Sequence, residues 1–209
     1  MKTPIADYDR QVFINCPFDD EHLPLLRAMV FAIHACGYKA RCALEVVDAG
    51  EVRLSKILRL IESCRYGLHD ISRTSLDAIN GLPRFNMPLE LGLFLGAARF
   101  GNIAQRRKRT LILDVERFRY QKFVSDIAGQ DIKAHGNDPL RLIGAVRDWL
   151  NASSATASPL PGSKALIRQY QDFLAAVPPT LVRFRLHESE VSFVDWLRIV
   201  EHWLENSGS

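Results

Sequence analysis

The chain is organised around one stretch, which reads Pro83-Arg84-Phe85-Asn86-Met87-Pro88-Leu89-Glu90-Leu91-Gly92-Leu93-Phe94-Leu95-Gly96-Ala97-Ala98. It opens as irregular chain between prolines and then runs apolar with a single charge, Glu90. The short amide of Asn86 suits the start of a helix, because it accepts hydrogen bonds from free backbone N–H groups, and Pro88 needs no N–H at that position. We therefore predict a helix that starts near Met87, is capped by Asn86 and carries Glu90 in its first turn.

Glu90 is the residue of this helix that needs an explanation. It shares a helical face with Leu93, Phe94 and Ala97, which are core-type residues, and a helix that is apolar on nearly all sides is buried on most of them. The helix dipole favours a carboxylate in the first turn, so Glu90 can stay ionised in an apolar cleft. Two interpretations stay open: a carboxylate satisfied by the helix end, or a functional one.

Length and composition indicate a globular chain. Its 209 residues fit one domain, or one domain with an appendage, and an apolar content of 47% is enough for a substantial core. Met1 to Asp7 contains no apolar signal region, and the uncharged apolar run Leu91 to Ala98 is too short to span a bilayer. We expect a soluble, cytoplasmic protein with no membrane partner.

Cysteine spacing and charge exclude further classes. Cys16, Cys36, Cys42 and Cys64 match neither a CxxC pair nor a zinc pattern, so reduced structural thiols are expected. The net charge of +3 is spread along the chain, and the basic run 106–109 is typical of a solvated loop before a strand. We do not expect a nucleic-acid partner.

Short apolar runs alternate with helical patterns along much of the chain. This alternation predicts an α/β fold, an open parallel sheet of four or five strands with helices on both faces. The predicted strands are 11–15, 38–44, 66–71, 109–114 and, with a weaker pattern, 131–135. The predicted helices are 21–36, 53–64, the helix of Glu90, 139–150, 163–177 and 188–205.

The end of the chain reads as a helical extension. Residues 152–162 are rich in Ser, Ala and Pro, so we predict an α/β domain at 1–151, a linker at 152–162 and an extension at 163–209 whose two helices are separated by Pro178-Pro179. The last helix places most of its large apolar residues on one face, which is too much apolar area to leave in water. That face either covers the α/β domain or binds a second copy, and we expect a dimer or larger species that is lost when the chain is truncated after Asn151.

The carboxyl ends of parallel strands form the ligand crevice of an open sheet. Here these ends are rich in Asn, Asp, Glu and Arg, at 15–20, 45–51, 69–73 and 84–90. The sequence contains no GxGxxG, no P-loop, no HExxH and no Ser-centred nucleophile elbow, so nucleotide clamps of those types, a metal site and serine hydrolysis are not supported. Two carboxylates remain, Glu90 and Asp70. Such a pair suits a reaction that builds positive charge on a sugar ring.

The succession of motifs resembles TIR-type domains and the related nucleoside deoxyribosyltransferase-like nucleotide-binding proteins. The resemblance covers roughly half of the chain, from Asp9 to Leu113. It is carried by Val12-Phe13-Ile14-Asn15, by the loop Asp48 to Gly50 with Arg53 to Cys64, by Gly67-Leu68-His69-Asp70-Ile71-Ser72 and by Leu89-Glu90-Leu91-Gly92. Asn15 stands where a serine is usual, and the segments 114–135 and 163–209 lie outside the pattern.

The resemblance implies a flavodoxin-like fold in which Glu90 acts on an N-glycosidic bond. It also implies that Asp70 is the strand-end acid and that the loop 45–52 gates the pocket and mediates assembly. The residues expected to bind the ligand are Asn15, Phe18, Asp19, Asp48, Asp70, Ser72, Arg84 and Asn86, with Glu90 as the catalytic residue and no metal.

The expected activity is therefore hydrolysis of NAD, or of a related nucleotide N-glycosidic bond, by a bacterial immune or toxin effector. NAD or a related nucleotide is the substrate, and no separate cofactor is expected. Two alternatives stay open: a nucleotide-binding sensor without turnover, and an assembly module that acts through the loop 45–52 and the C-terminal helices.

Overall fold

A computed structural model describes residues 7–45, 50–74, 84–153 and 159–207. Five strands alternate with helices, and two further helices complete the chain. The strands are β1 (Gln11–Asn15), β2 (Lys39–Arg41), β3 (Tyr66–Asp70), β4 (Arg109–Asp114) and β5 (Lys133–Ala134). The helices are α1 (Leu23–Ala35), α2 (Arg53–Ser63), α3 (Asn86–Phe100), α4 (Pro139–Ser153), α5 (Ser163–Phe184) and α6 (Phe193–Ser207).

The five strands form one parallel sheet in the order β2-β1-β3-β4-β5. This is the flavodoxin-like order, so the predicted α/β class, with its open parallel sheet, is confirmed. β2 lies on one side of β1, and β3 and the later strands lie on the other side. The direction in which strands are added therefore reverses, and the topological switch point lies between β1 and β3. The carboxyl ends of the five parallel strands therefore lie at one edge of the sheet.

Helices cover both faces of this sheet. One face packs against α1 and α4, because alternate residues of β1 such as Val12 and Ile14 point to that side. The opposite face packs against α2 and α3, where Phe13 of β1 contacts the cluster that contains Phe94. β1 and β3 are buried along their whole length, as expected for central parallel strands.

Strand β2 is shorter than predicted. It ends at Arg41, and the residues expected to extend it, up to Leu44, turn into a short 3-10 segment, Ala43–Glu45. Glu45 is the reason, because its carboxylate accepts from the Cys42 N–H at 2.7 Å and from Nε of Arg41 at 2.7 Å. These bonds satisfy the chain locally and replace a strand ladder.

Helix α3 approaches the sheet very closely at Gly67 of β3. A Cβ atom placed on Gly67 would lie 2.6 Å from Cζ of Phe94 and 2.7 Å from Nε2 of His69. Glycine is therefore required there by space, because the ring of Phe94 occupies the position that a side chain would need.

Helix α5 runs unbroken through Pro178 and Pro179, so the predicted break at these prolines is wrong. A proline pair removes two helical N–H donors, yet the helix has buried residues on both sides of it, Phe173 before and Leu181 after. Burial of one continuous face explains why the helix persists through the pair.

The C-terminal helices bury their apolar faces within this chain. Phe173 of α5 stacks on Phe31 of α1 with ring centroids 5.1 Å apart, and Trp196 of α6 packs on Phe173 at 5.3 Å. Nε1 of Trp196 also donates to the Arg27 carbonyl of α1 at 3.3 Å. The apolar face of the last helix therefore covers the α/β layer, which is one of the two uses that the sequence left open. The dimer or larger species stays a prediction, and this face no longer supports it.

Within the described ranges, no helix combines the length and apolar character needed to cross a membrane.

Candidate functional site

Glu90 lies one residue further into its helix than predicted. Helix α3 begins at Asn86, with Phe85 in the capping position and no side-chain cap, so the prediction that Asn86 caps the helix is wrong. Asn86 is exposed at the helix start. Glu90 therefore follows the first turn, where the free N–H groups that stabilise a carboxylate have already been passed.

The surroundings of Glu90 disfavour its charge. The residue is 7% exposed, and this burial raises the pKa of its carboxyl group to about 7, against an opposing attraction from Arg53 at the start of α2. The expectation that the helix end keeps Glu90 fully ionised is corrected accordingly. At neutral pH the carboxyl group is poised between its two protonation states, which is typical of catalytic acids and bases.

Asn15, at the end of β1, fixes the start of α3 beneath Glu90. Its amide nitrogen donates to the Met87 carbonyl at 2.8 Å and lies 3.0 Å from Nδ1 of His69. Burial lowers the pKa of His69 to about 3, so this imidazole is neutral and can accept. Both donors of the Asn15 amide are thus used inside the protein, which leaves its oxygen as the atom available to a ligand.

The loop after β1 is joined to the chain that enters α3. Asp19 accepts from Arg73 at 3.0 Å and lies 3.2 Å from a nitrogen of Arg84, so the predicted residues Asp19 and Arg84 are brought together. Arg73 also pairs with Glu21. Phe18 is half-buried and packs against the main core. Of the remaining predicted ligand residues, Asp48 lies outside the described residues.

Asp70, at the end of β3, is fully buried and has two histidine partners that the sequence did not point out. Oδ2 of Asp70 lies 3.3 Å from Nε2 of His22 and 3.2 Å from Nε2 of His135, and Oδ1 accepts from the Ser72 N–H at 2.9 Å. His22 follows β1 and His135 follows β5. Although burial alone would raise it, the pKa of Asp70 is lowered because both imidazoles stabilise the carboxylate.

The ring of His135 is held by a contact at each of its two nitrogens. Its Nδ1 accepts from the Asn137 N–H at 3.0 Å, so the ring proton is assigned to Nε2, the nitrogen that faces Asp70. In the part of the chain that the structure describes, no group of three or more His, Cys, Asp or Glu side chains has metal-site geometry.

Arg119 ties the ends of β3 and β4 together. Its Nε donates to Oδ1 of Asp114 at 2.8 Å, and its Nη2 donates to the Ser72 carbonyl at 2.7 Å and to the Ile71 carbonyl at 3.2 Å. Burial raises the pKa of Asp114, and the guanidinium opposes that shift. One planar cation thus binds one oxygen of a buried carboxylate and two strand-end carbonyls.

We expect Arg119→Lys to lower the free energy of unfolding by about 2 kcal/mol, because an ammonium group cannot reproduce this fork of donors. Urea unfolding at pH 7 measures the change. Arg117→Lys is the matched control, because Arg117 is exposed, and it should change stability by less than about 0.5 kcal/mol. Equal stabilities of the two variants would contradict the role of Arg119 as a tether.

A pocket of about 320 Å³ opens beside these groups at the carboxyl edge of the sheet. It is lined by residues that follow four different strands, among them Glu21, His22, Ser72, Arg73, Arg119 and Asn137. Of the predicted ligand residues, Ser72 lines this pocket, while Asp70 lies beneath it in contact with His22. Glu90 and Asn15 lie on the β1 side of the same edge. Burial raises the pKa of the Cys16 thiol, and the nearby carboxylates of Asp70 and Glu90 add to that shift.

Comparison with family models, with curated proteins and with solved structures finds no match to this chain.

Proposed function

We propose that this protein cleaves the N-glycosidic bond of a nucleotide, with hydrolysis of NAD as the reaction that suits its site best. The observation that carries the proposal is Glu90, a carboxyl group 7% exposed whose pKa is raised to about 7 by burial at the carboxyl edge of the sheet. The resemblance to TIR-type and deoxyribosyltransferase-like proteins gives the same residue the same task.

The charge of the substrate favours NAD over a neutral nucleoside. The nicotinamide nitrogen of NAD is cationic and leaves as a neutral base, so that bond breaks without a proton donor. A buried carboxylate near C1′ stabilises the positive charge that develops on the ribose, and it does so strongly because little water screens it. The bonding electrons pass to nicotinamide, water supplies hydroxide to C1′, and one proton is released.

The state of Glu90 before binding fits this chemistry. Burial makes its ionised form unfavourable, and a cationic nicotinamide ribose would offset part of that cost when it binds. Arg53 is the residue whose charge opposes the effect of burial on Glu90. An enzyme of this kind would serve as an immune or toxin effector by consuming NAD.

Two observations favour the alternatives, a nucleotide sensor and an assembly module. Asp70 is fully buried and occupied by two histidines, so the second acid does not reach an incoming nucleotide without rearrangement. The outer side of α3 is apolar and exposed, with Leu89 at 56% and Phe100 at 83% exposure. A sensor would bind NAD without turnover, and an assembly module would use surfaces such as the outer side of α3.

The test is incubation of the purified protein with NAD, with nicotinamide and ADP-ribose separated by chromatography. If the ionised form of Glu90 is the active one, kcat/KM for NAD should rise about tenfold between pH 6 and pH 8, because the ionised fraction grows by that factor around a pKa of about 7.

Release of a base from neutral nucleosides, with activity that falls over the same pH range, would point instead to Glu90 as a proton donor. Binding of NAD without any nicotinamide release would favour the sensor. Neither binding nor release would contradict the proposal.

A further inference from the structure

His22 is a buried imidazole at the pocket whose role the proposed function does not explain. It is 2% exposed, and it lines the pocket of about 320 Å³ at the carboxyl ends of β1, β3, β4 and β5. One nitrogen of the ring, Nε2, lies 3.3 Å from Oδ2 of Asp70. Among the described residues, Nε2 is fully buried without a well-aligned hydrogen bond, and no hydrogen bond to the other nitrogen, Nδ1, is found. Nδ1 is therefore the ring nitrogen left for a group that enters the pocket.

The buried network assigns the protons of this ring. Asp70 is an ionised carboxylate and can only accept, and the nearby Nε2 of His22 is therefore the protonated nitrogen. In a neutral imidazole the remaining nitrogen, Nδ1, then carries a lone pair and can only accept. His135 offers no such atom, because its Nδ1 already accepts from the Asn137 N–H.

The charges around the pocket indicate which kind of ligand group would donate a hydrogen bond to Nδ1. Arg73 already pairs with Asp19 and Glu21, and Arg119 already pairs with Asp114. Among the described residues that line the pocket, both arginines are therefore paired, and no unpaired arginine or lysine would select a free phosphate. An acceptor nitrogen in a balanced polar pocket of this size matches a neutral hydroxyl donor.

We propose that this pocket is a binding site for a sugar hydroxyl, and that Nδ1 of His22 accepts the hydrogen bond from it. The ligand class is the ribose of a nucleotide, which rests on the proposed function. Asp70 and His135 act as positioning residues, since Asp70 holds the His22 ring in the tautomer that presents a lone pair and His135 holds Asp70.

Two substitutions test the roles of the two nitrogens of His22 separately. In His22→Gln the side-chain amide nitrogen takes the place of Nε2 and can still donate to Asp70, while the acceptor at Nδ1 is lost. In His22→Asn the amide reaches the place of Nδ1 and keeps an acceptor there, while the contact with Asp70 is lost. A purely structural role in supporting Asp70 would make Asn the more harmful change. A role in ligand binding makes Gln the more harmful one.

The experiment titrates ADP-ribose into protein labelled with ¹⁵N-histidine, in the Glu90→Gln background so that no turnover interferes. We expect the Nδ1 resonance of His22 to shift saturably with ADP-ribose, and inorganic phosphate alone to leave it in place. His22→Gln should weaken binding about tenfold, the effect of one hydrogen bond left unmade, and His22→Asn should weaken it less.

An unchanged Nδ1 resonance at saturation would overturn the proposal. So would an equal shift with inorganic phosphate, or an affinity of His22→Gln equal to that of the parent. These outcomes are independent of the proposed cleavage. NAD turnover, together with an Nδ1 resonance of His22 that does not shift with ADP-ribose, would reject only this site. ADP-ribose binding through His22 in a protein that never cleaves NAD would reject only the enzyme.

Discussion

We expect Glu90→Gln to abolish NAD turnover and, at pH 8, to make the folded protein more stable. Removal of one group that stabilises charge in the transition state should lower kcat by at least ~10²-fold. The amide is close to the carboxyl group in shape, so a nearly unchanged KM would place the loss in the chemical step.

The gain in stability follows from the pKa of Glu90. Burial raises it from 4.5 to about 7, so the folded state retains a proton that the unfolded state has lost between these two values. Stability therefore falls as the pH rises from 4.5 to 7, and above pH 7 the folded protein holds a disfavoured charge. At about 1.4 kcal/mol per pKa unit, reduced because some solvent reaches the carboxylate, the amide should gain about 2 kcal/mol at pH 8.

Urea unfolding of both proteins at pH 5 and pH 8 measures this difference, which should shrink greatly at pH 5. Glu205→Gln is the matched control, because Glu205 is exposed on α6 and should change neither turnover nor stability at either pH. Full NAD turnover in a folded Glu90→Gln protein would remove Glu90 from the mechanism. Equal stability of the two proteins at pH 8 would show that the carboxyl group is not the buried, disfavoured charge described above.

Phe173→Ala should destabilise the entire protein by about 3–5 kcal/mol. Phe173 is fully buried and joins three helices, with Phe31 at 5.1 Å, Trp196 at 5.3 Å and Trp203 at 5.5 Å between ring centroids. Removal of the ring leaves a cavity between α1, α5 and α6. Because these helices share one core cluster with the sheet, the loss should appear in a single unfolding transition.

Tryptophan fluorescence during urea unfolding reports this transition, since Trp196 and Trp203 both contact Phe173. Val182→Ala provides the control, because Val182 lies on the same helix at 78% exposure and should cost less than about 0.5 kcal/mol. Two separate transitions, with α5 and α6 lost first, would mean that the C-terminal helices fold as an independent extension.

The sheet could be predicted from the sequence because its signal is local and repeated. Apolar runs such as Gln11–Asn15 and Arg109–Asp114 are strands with the predicted bounds, since central parallel strands are apolar throughout. The errors occur where a distant or specific contact outweighs local preference. Glu45 ended β2 early, and burial of Phe173 and Leu181 carried α5 through two prolines.

The candidate site was predictable only in part for a related reason. Glu90 and Asp70 stand out as lone charges in apolar surroundings, so a single sequence reveals them. His22 and His135 do not stand out, because each lies in a polar loop and their relation to Asp70 arises only when the ends of β1, β3 and β5 meet. The carboxyl ends of parallel strands lie at one edge of the sheet. If the weak strand pattern at 131–135 had been used to place a fifth strand end there, His135 would have been recognised as a candidate.

The close approach of α3 to the sheet at Gly67 also bears on how this sequence can change over evolutionary time. Since a Cβ at Gly67 would meet Cζ of Phe94 at 2.6 Å, the two positions are constrained as a pair. Because Nε2 of His69 would also lie 2.7 Å from that Cβ, a change from glycine to alanine is open only to a lineage in which Phe94 has become smaller and the His69 ring has moved. In any set of diverged copies of this chain, we expect positions 67 and 94 to covary, and the order of the two substitutions to be fixed.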